Sequence, residues 1–238
     1  MSNENVGWDI SAEAWIRNVE TDVNRLYVLD PVMREQAGDV QGKRMLDVGC
    51  GEGRFCRMMG ARGAVAVGID PTAKFIERAQ ERDPGGEYRV AGGEALPFED
   101  ESFDLVVGYL VLIDIADFQA AIREMARVVK PGGRILIANL NSFVTTMVNP
   151  WIQDDRGWRL YFAMDNYPQE REAVVTWSGI VIKNHHRPLH MYMNAFINAG
   201  LRLERYLEPV PTEDAISLAP SIADYKRIPY MNVMVWSK

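Results

Sequence analysis

The chain has 238 residues, 47% of them hydrophobic and 25% charged, with a formal net charge of −7. That length suits one domain, or one domain with an insertion, and supports a full core. The acidic balance is poorly suited to holding phosphates, so no nucleic-acid partner is expected.

The N-terminus, "MSNENVGWDI", has neither a basic nor an apolar leader region, so no secretory signal is expected. Trp15, Val19, Val23 and Leu26 recur at helical spacing and predict an amphipathic helix over 11–27. "DPVMREQAG" predicts a short second helix, with Asp30 as its cap, Pro31 in its first turn and Gly38 closing it. From residue 43 strands and helices alternate. "KRMLDVG", "AVAVGID", "EYRVAG" and "SFDLVVGYLVL" read as strands, and "GRFCRMMGA" and "TAKFIERAQER" as helices. Asp117 caps a helix whose Ile122, Met125, Ala126 and Val129 share one face; "KPGG" ends it and "RILIANL" is a fifth strand. A helix over "PLHMYMNAFINAG" and strands over "LRLERYLEPVP" and "YMNVMVWSK" finish the chain.

Near-continuous apolar strands in alternation with helices imply a doubly wound, mostly parallel seven-stranded α/β sheet with helices on both faces. Residues 1–42 form an N-terminal helical cap on a domain of residues 43–238. Residues 139–190 break the rhythm and carry Trp151, Trp158, Tyr161 and all three histidines. A connection this long is characteristically a lid or binding loop, and a lid inserted over the active face is expected. The longest apolar run, around Leu105–Ile113, is far short of the roughly 20 residues that span a bilayer. Cys50 and Cys56 make no disulfide framework, which fits a reducing compartment. A cytoplasmic protein with no membrane partner is expected, and its oligomeric state is left open.

The stretch "LDVGCGEGRF" decides the chemistry. Gly49, Gly51 and Gly53 alternate directly after the first strand, and Asp70 ends the second strand about 20 residues on. In an open α/β sheet, ligands bind beyond the carboxyl ends of the strands where strand order reverses, and an acid there suits ribose hydroxyls. A dinucleotide turn needs a third glycine five positions after the first, where this chain has Arg54. The spacing is G-x-G-x-G, with Asp47 before it, and an acid at that mouth suits an ammonium rather than a pyrophosphate.

The arrangement resembles the S-adenosylmethionine-dependent methyltransferases with a Rossmann-like sheet (class I). The likeness runs from about residue 20 to the end, through "LDVGCGEG", "VGID", "EALPFEDESFDLVV", "AIREMARVVKPGGRILIANLNSF" and "HRPLHMYMNAFINAGL". It implies S-adenosylmethionine as cofactor, with S-adenosylhomocysteine as product, and a small-molecule substrate methylated on oxygen or nitrogen. Gly49, Gly51 and Gly53, with the backbone of Cys50, would lie against the methionyl part, Asp70 on the ribose and Pro71 beside the adenine. Gly93, Glu94 and Ala95 would face the adenine edge, and Tyr109 with Leu110 would lie near the sulfonium. Two positions depart from the pattern. Gly92 replaces the aspartate that accepts from the adenine amino group, leaving Glu94 or a backbone carbonyl for that contact. Ile113 stands where many relatives carry histidine, so no base is expected from that turn.

The remaining candidates lie around the site. Arg25 is a candidate for the cofactor carboxylate and Tyr27 for the substrate. Trp8 and Trp15 of the cap, and Trp151, Trp158 and Tyr161 of the insertion, are candidate substrate-pocket residues. His185 and His186 are candidate bases, with Tyr192 on the same wall; adjacent strand residues point to opposite faces, so only one histidine can face the pocket. No metal is expected, because the histidines lack further ligands at suitable spacing. Asp104 is expected at a strand start in a structural role, and Asp114, near the carboxyl end of the same strand, is a secondary candidate for a substrate contact. Two rivals stay open: a non-catalytic cofactor-binding regulatory protein, which would carry the same motifs, and a nicotinamide-dependent oxidoreductase.

Overall fold

The computed structural model describes residues 6–147 and 150–238. The first five residues of the expected cap and residues 148–149 of the expected insertion lie outside them. In chain order, α1 spans Trp8–Asn18 and α2 Asp30–Ala37, followed by β1 (Arg44–Val48), α3 (Arg54–Gly60), β2 (Val65–Asp70), α4 (Ala73–Arg82) and β3 (Glu87–Val90). Then come β4 (Phe103–Tyr109), α5 (Phe118–Val128), β5 (Val129–Leu140), β6 (Trp151–Gln153), β7 (Arg159–Phe162), β8 (Arg171–Trp177) and β9 (Ile180–His186). The chain closes with α6 (Leu189–Asn198), β10 (Arg202–Leu207), α7 (Glu213–Leu218) and β11 (Met231–Ser237).

The seven-stranded sheet expected from the sequence forms in the order β10-β11-β5-β4-β1-β2-β3. β1 pairs in parallel with both β2 and β4, so strand order reverses beside the glycine turn that follows β1. β11 runs antiparallel to both its neighbours, β5 and β10. Strand alternation divides the core between two faces. Met45, Leu105, Val107, Leu136 and Ala138 pack on one side with Met33 of α2 and Phe55 and Met59 of α3. Leu46, Val48, Val106, Ile135 and Ile137 pack on the other with Ile122 and Met125 of α5 and Phe196 of α6.

Several local expectations change. The helix expected over 11–27 stops at Asn18. The Asp22 carboxylate accepts from the backbone amides of Asn24 (2.8 Å) and Arg25 (3.4 Å), a side-chain turn that competes with helix continuation. A π-helical turn over Arg25–Leu29 follows. Asp30 does not cap α2; its carboxylate receives Arg54 and the Tyr109 hydroxyl instead. The helix ends at Val128, just before "KPGG" as expected, but β5 starts earlier than "RILIANL", at Val129, with a register shift against β4 across those four residues.

The sheet pattern persists to Leu140, and the segment expected as an insertion forms two hairpins, β6–β7 and β8–β9. The second hairpin and α1 share a third core of Ala12, Ala14, Trp15, Val19, Phe75, Ile180 and Ile182. Their backbones join as well. Gly7 N donates to Val181 O (2.9 Å), and Ser11 Oγ both donates to Val181 O and accepts from its amide. The segment after α1 is fixed by charge. Glu20 meets Arg54, Arg57 and Arg82, and buried Glu52 receives the last two at 2.8 Å each.

Arg187, 1% exposed, ties β9 to the turn after β4. Its guanidinium donates to the carbonyls of Leu112 (3.0 Å), Ile115 (2.8 Å) and Ala116 (2.9 Å), and to Glu170 (2.8 Å). Arg187→Met would strand these acceptors, so urea unfolding should show a loss on the order of 3–5 kcal/mol. A loss below about 1 kcal/mol would show that the carbonyls find other partners.

Candidate active site

The turn after β1 brings the backbone to the carboxyl edge of the sheet. Gly49 N and Cys50 N both donate to Ile69 O, at 2.8 and 2.9 Å, pinning the turn to β2. Gly49, Gly51 and Gly53 have φ of 73°, 55° and 77°, a region that side-chain-bearing residues rarely adopt. Space forbids a side chain as well. A Cβ on Gly49 would stand 2.3 Å from Val111 Cγ2, and one on Gly53 would stand 2.8 Å from the Tyr88 ring. Above Gly51 lies the Trp15 indole, with its Nε1 3.6 Å from a Cβ position.

Three carboxyl groups and one guanidinium converge here. Asp47 is 1% exposed, and burial pushes its pKa up to about 7 against the opposing pull of Arg25. Its Oδ2 receives the Cys56 thiol at 3.7 Å, whereas Oδ1 is buried without a partner. Arg25 lies over the rings of Trp15 (4.9 Å) and Tyr109 (4.5 Å), and its Nε is likewise enclosed and unpartnered. Asp70 is pushed up to about 6 by burial, against the backbone amides of Thr72 (2.9 Å) and Gly51 (3.1 Å) that its oxygens accept. Burial raises both cysteine thiols well above their ordinary range, so neither Cys50 nor Cys56 supplies a thiolate.

The turn after β4 closes the other side. Leu110 adopts φ 58° and donates its amide to Ala138 O (2.9 Å), which throws Val111 against Gly49. The sequence offers no base from this turn, since Ile113 replaces histidine; the structure shows a carboxylate there, that of Asp114. It accepts from Trp8 Nε1 (3.1 Å) and from the Asn184 side chain (2.5 Å), so α1 and β9 meet on one acid. Asn184 went unread in the sequence because its partner is 70 residues away. At the adenine side Pro71, Glu94 and Ala95 are exposed and Gly93 is buried. Glu94 Oε2 lies 2.9 Å from where a Cβ on Gly92 would be, so the absent side chain leaves room for a carboxylate two residues on.

Other candidates sit elsewhere. His186 is 1% exposed and fully engaged. Its Nε2 donates to Tyr167 O (2.9 Å) and its Nδ1 meets the Thr145 hydroxyl (2.7 Å), so it is a structural residue and not a free base. His185 points to the opposite face of β9, across the ladder from Glu172. Tyr192 is buried in the core shared with α5, its ring edge-on to Phe118. Trp158 and Tyr161 are 71% and 60% exposed on the β6–β7 hairpin. Trp151 is spent holding that hairpin down, donating to the Tyr230 hydroxyl (2.5 Å) beneath Arg227. Tyr27, half-buried, packs on the core beside α2. The Tyr109 hydroxyl is committed to Asp30 (2.8 Å), leaving only its ring beside Arg25.

Residues 46–137 match the family model described as "Methyltransferase domain". A curated relative, "Ubiquinone biosynthesis O-methyltransferase" of Chelativorans sp., is 31% identical over 157 residues, 60% of this chain and 61% of that protein. "Malonyl-[acyl-carrier protein] O-methyltransferase" of Erwinia billingiae is 36% identical over 102 residues, 43% of this chain and 41% of that protein. Among solved structures, an S-adenosylmethionine-dependent methyltransferase from Mesorhizobium loti is 27% identical with a TM-score of 0.81, covering 92% of this chain and 100% of that one. Residues 46–137 thus match a methyltransferase domain, and the likenesses together support a class I, S-adenosylmethionine-dependent methyltransferase. The matched stretches span about three-fifths or less of the two curated relatives.

The cofactor of that family is S-adenosylmethionine, and the residues present fit it. An amino-acid end carries an ammonium and a carboxylate, and the site holds a buried unpartnered acceptor, Asp47 Oδ1, and an enclosed unpartnered donor, Arg25 Nε; Glu52 Oε1 within the turn is buried without a partner as well. Buried polar groups without partners are uncommon and call for a reason. Asp70 retains further lone pairs for hydroxyl donors after its two amide bonds. Among the described residues no cluster of His, Cys, Asp or Glu could hold a metal ion, and no helix is long and apolar enough to cross a membrane.

Two measurements follow. Raised carboxyl pKa values in the free protein mean that the native state holds more protons than the unfolded chain. The contribution of Asp47 to stability is therefore whole below the ordinary carboxylate value of 3.8, and is lost as pH rises through about 7. An ammonium needs the ionised form, so affinity for S-adenosylhomocysteine should rise between pH 5.5 and 8 and level off above; a flat profile would remove Asp47 from the site. His186→Ala should lower the thermal midpoint by several degrees and leave S-adenosylhomocysteine affinity within about threefold; a large affinity loss at unchanged stability would return the histidine to the pocket.

Proposed function

We propose that the protein transfers a methyl group from S-adenosylmethionine to an oxygen or nitrogen of a small organic molecule. Oxygen is favoured, because both relatives described above are named O-methyltransferases. The observation that carries the reading is the unpartnered pair at the glycine turn, Asp47 Oδ1 and Arg25 Nε.

When bound, the cofactor supplies an electrophilic methyl on a sulfonium. The chain's own residues bind, orient and exclude water. Asp47 would hold the ammonium, Arg25 the carboxylate, Asp70 the ribose and Glu94 the adenine edge. Trp8 and Trp15, with the β8–β9 hairpin, would act as a cover. Their joint packing with Phe75 supports this, as does the placement of Trp15 above Gly51. Fixing donor and acceptor in line can supply on the order of 7–11 kcal/mol of a barrier, which puts positioning first among the protein's tasks.

Calorimetry tests the cofactor half. S-adenosylhomocysteine should bind and NAD should not. Asp47→Asn and Arg25→Ala should each weaken binding about 10- to 100-fold, the worth of a hydrogen bond to a charged group, roughly 1.5–3 kcal/mol. Methyl transfer from labelled S-adenosylmethionine to a panel of hydroxylated and amino compounds tests the other half. Binding of NAD, or full affinity in both variants, would overturn the reading.

A further inference from the structure

We propose that Asp114 is the proton acceptor of this site, the carboxylate that takes the acceptor's hydroxyl proton during methyl transfer, with Trp8 and Asn184 as its positioning residues. The inference deepens the function proposed above and rests on it for the reaction.

Position is the first argument. Asp114 lies in the turn beyond the carboxyl end of β4, the strand beside β1 at the reversal of strand order. Trp8, which donates to Asp114, packs edge-on to Trp15 at 5.7 Å. Trp15 lies above Gly51 and under the guanidinium of Arg25, the group assigned above to the amino-acid carboxylate. The carboxylate is thereby tied to the cover of the cofactor's amino-acid end, next to which the reacting sulfur would lie. The turn is firmly set. Arg187 caps three of its carbonyls, and His185 N donates to Ile113 O at 2.7 Å.

Chemistry is the second argument. Each oxygen of Asp114 accepts one hydrogen bond, one from Trp8 and one from Asn184. A carboxylate has about four lone-pair sites, so acceptor capacity remains, and the residue is only half-buried. Both partners donate, which orients the carboxylate in its ionised form. Elimination points the same way. His186 has both nitrogens engaged, His185 faces away, and the Tyr109 hydroxyl belongs to Asp30.

The groups facing Asp114 are Arg25 and Asp70 from the cofactor side, Asn184 from β9, Trp8 from α1, and Arg187 and Tyr192 near its turn. Desolvation raises its pKa to about 7, against the two hydrogen bonds that lower it, a value suited to a general base near neutrality. The step balances. The acceptor oxygen forms a bond to the methyl carbon as the sulfur–carbon bond breaks, with that electron pair staying on sulfur, while the hydroxyl proton passes to an Oδ of Asp114. A sulfonium and a carboxylate thereby become a neutral thioether and a neutral acid, so the enclosed site never carries an uncompensated charge.

The test needs no acceptor. Calorimetry at pH 7 in buffers of different ionisation enthalpy counts the protons exchanged when S-adenosylmethionine or S-adenosylhomocysteine binds. The sulfonium should drive the proton off Asp114, so its binding should release up to about half a proton more than the neutral thioether. That difference should vanish in Asp114→Asn, while S-adenosylhomocysteine affinity changes less than tenfold. Equal proton counts in the wild type, or a difference surviving in the variant, would overturn the proposal whatever becomes of the methyltransferase reading. With a methylated hydroxyl compound in hand, Asp114→Asn should lower kcat about 10²- to 10⁴-fold and abolish the rise in rate with pH near 7. Trp8→Phe, which removes one hydrogen bond to the ionised form, should move that rise to higher pH. An unmoved profile in either variant would assign Asp114 to structure alone.

Discussion

Val111 and Gly49 pack so closely that one added carbon could not stand between them, and the carboxyl edge of the sheet is organised around that contact. The left-handed backbone at Gly49 turns the chain out of β1, and the left-handed Leu110 turns it out of β4. A non-glycine residue in that region costs of order 1–3 kcal/mol, and here the strain delivers Val111 to the glycine and Asp114 to the space beyond it. The two strands at the reversal of strand order thus end in turns that brace each other. Between them lies the surface where a nucleoside can approach backbone rather than side chains.

The polar groups around that surface carry an electrostatic tension that packing alone would not leave in place. Desolvation raises Asp47, Asp70 and Asp114 together, and Arg25 is the cation that opposes it at Asp47 and Asp114. A fold selected for stability alone would replace such groups with apolar ones, since an isolated buried charge is expensive. A ligand that brings an ammonium, a carboxylate, two hydroxyls and a sulfonium relieves the tension at each point. The fastening of the N-terminal segment is of a different kind. Glu20, Glu52, Arg54, Arg57 and Arg82 pair with one another and ask for nothing from a ligand, apart from one buried Glu52 oxygen.

The sheet was legible in the sequence because period-2 apolar strands and capped helices are local signals, and the glycine spacing with Asp70 is local as well, which let the resemblance to class I methyltransferases imply the cofactor. Helix and strand ends were less legible. Asp22 broke a helix that the 3.6-residue spacing of Trp15, Val19, Val23 and Leu26 seemed to continue, through a side-chain turn that periodicity does not register. The site beyond the cofactor was read least well. His185 and His186 are the residue type expected of a base, yet strand alternation sends His186 inward to Tyr167 and Thr145 and His185 to the other face. Asn184, next to them and chemically plain, reaches the acid instead. Contacts across 70 or 106 residues leave no trace in spacing, so the meeting of Trp8, Asn184 and Asp114 belongs to the tertiary fold alone.

The central claim is that the unpartnered Asp47 Oδ1 and Arg25 Nε are the two ends of an amino-acid site at the glycine turn. A crystal structure of the protein with S-adenosylhomocysteine tests it most directly. The account predicts the ligand's ammonium within hydrogen-bond distance of Asp47, its carboxylate on Arg25 and its ribose hydroxyls on Asp70. A ligand bound with its amino acid away from Asp47 and Arg25, leaving both still unpartnered, would contradict it.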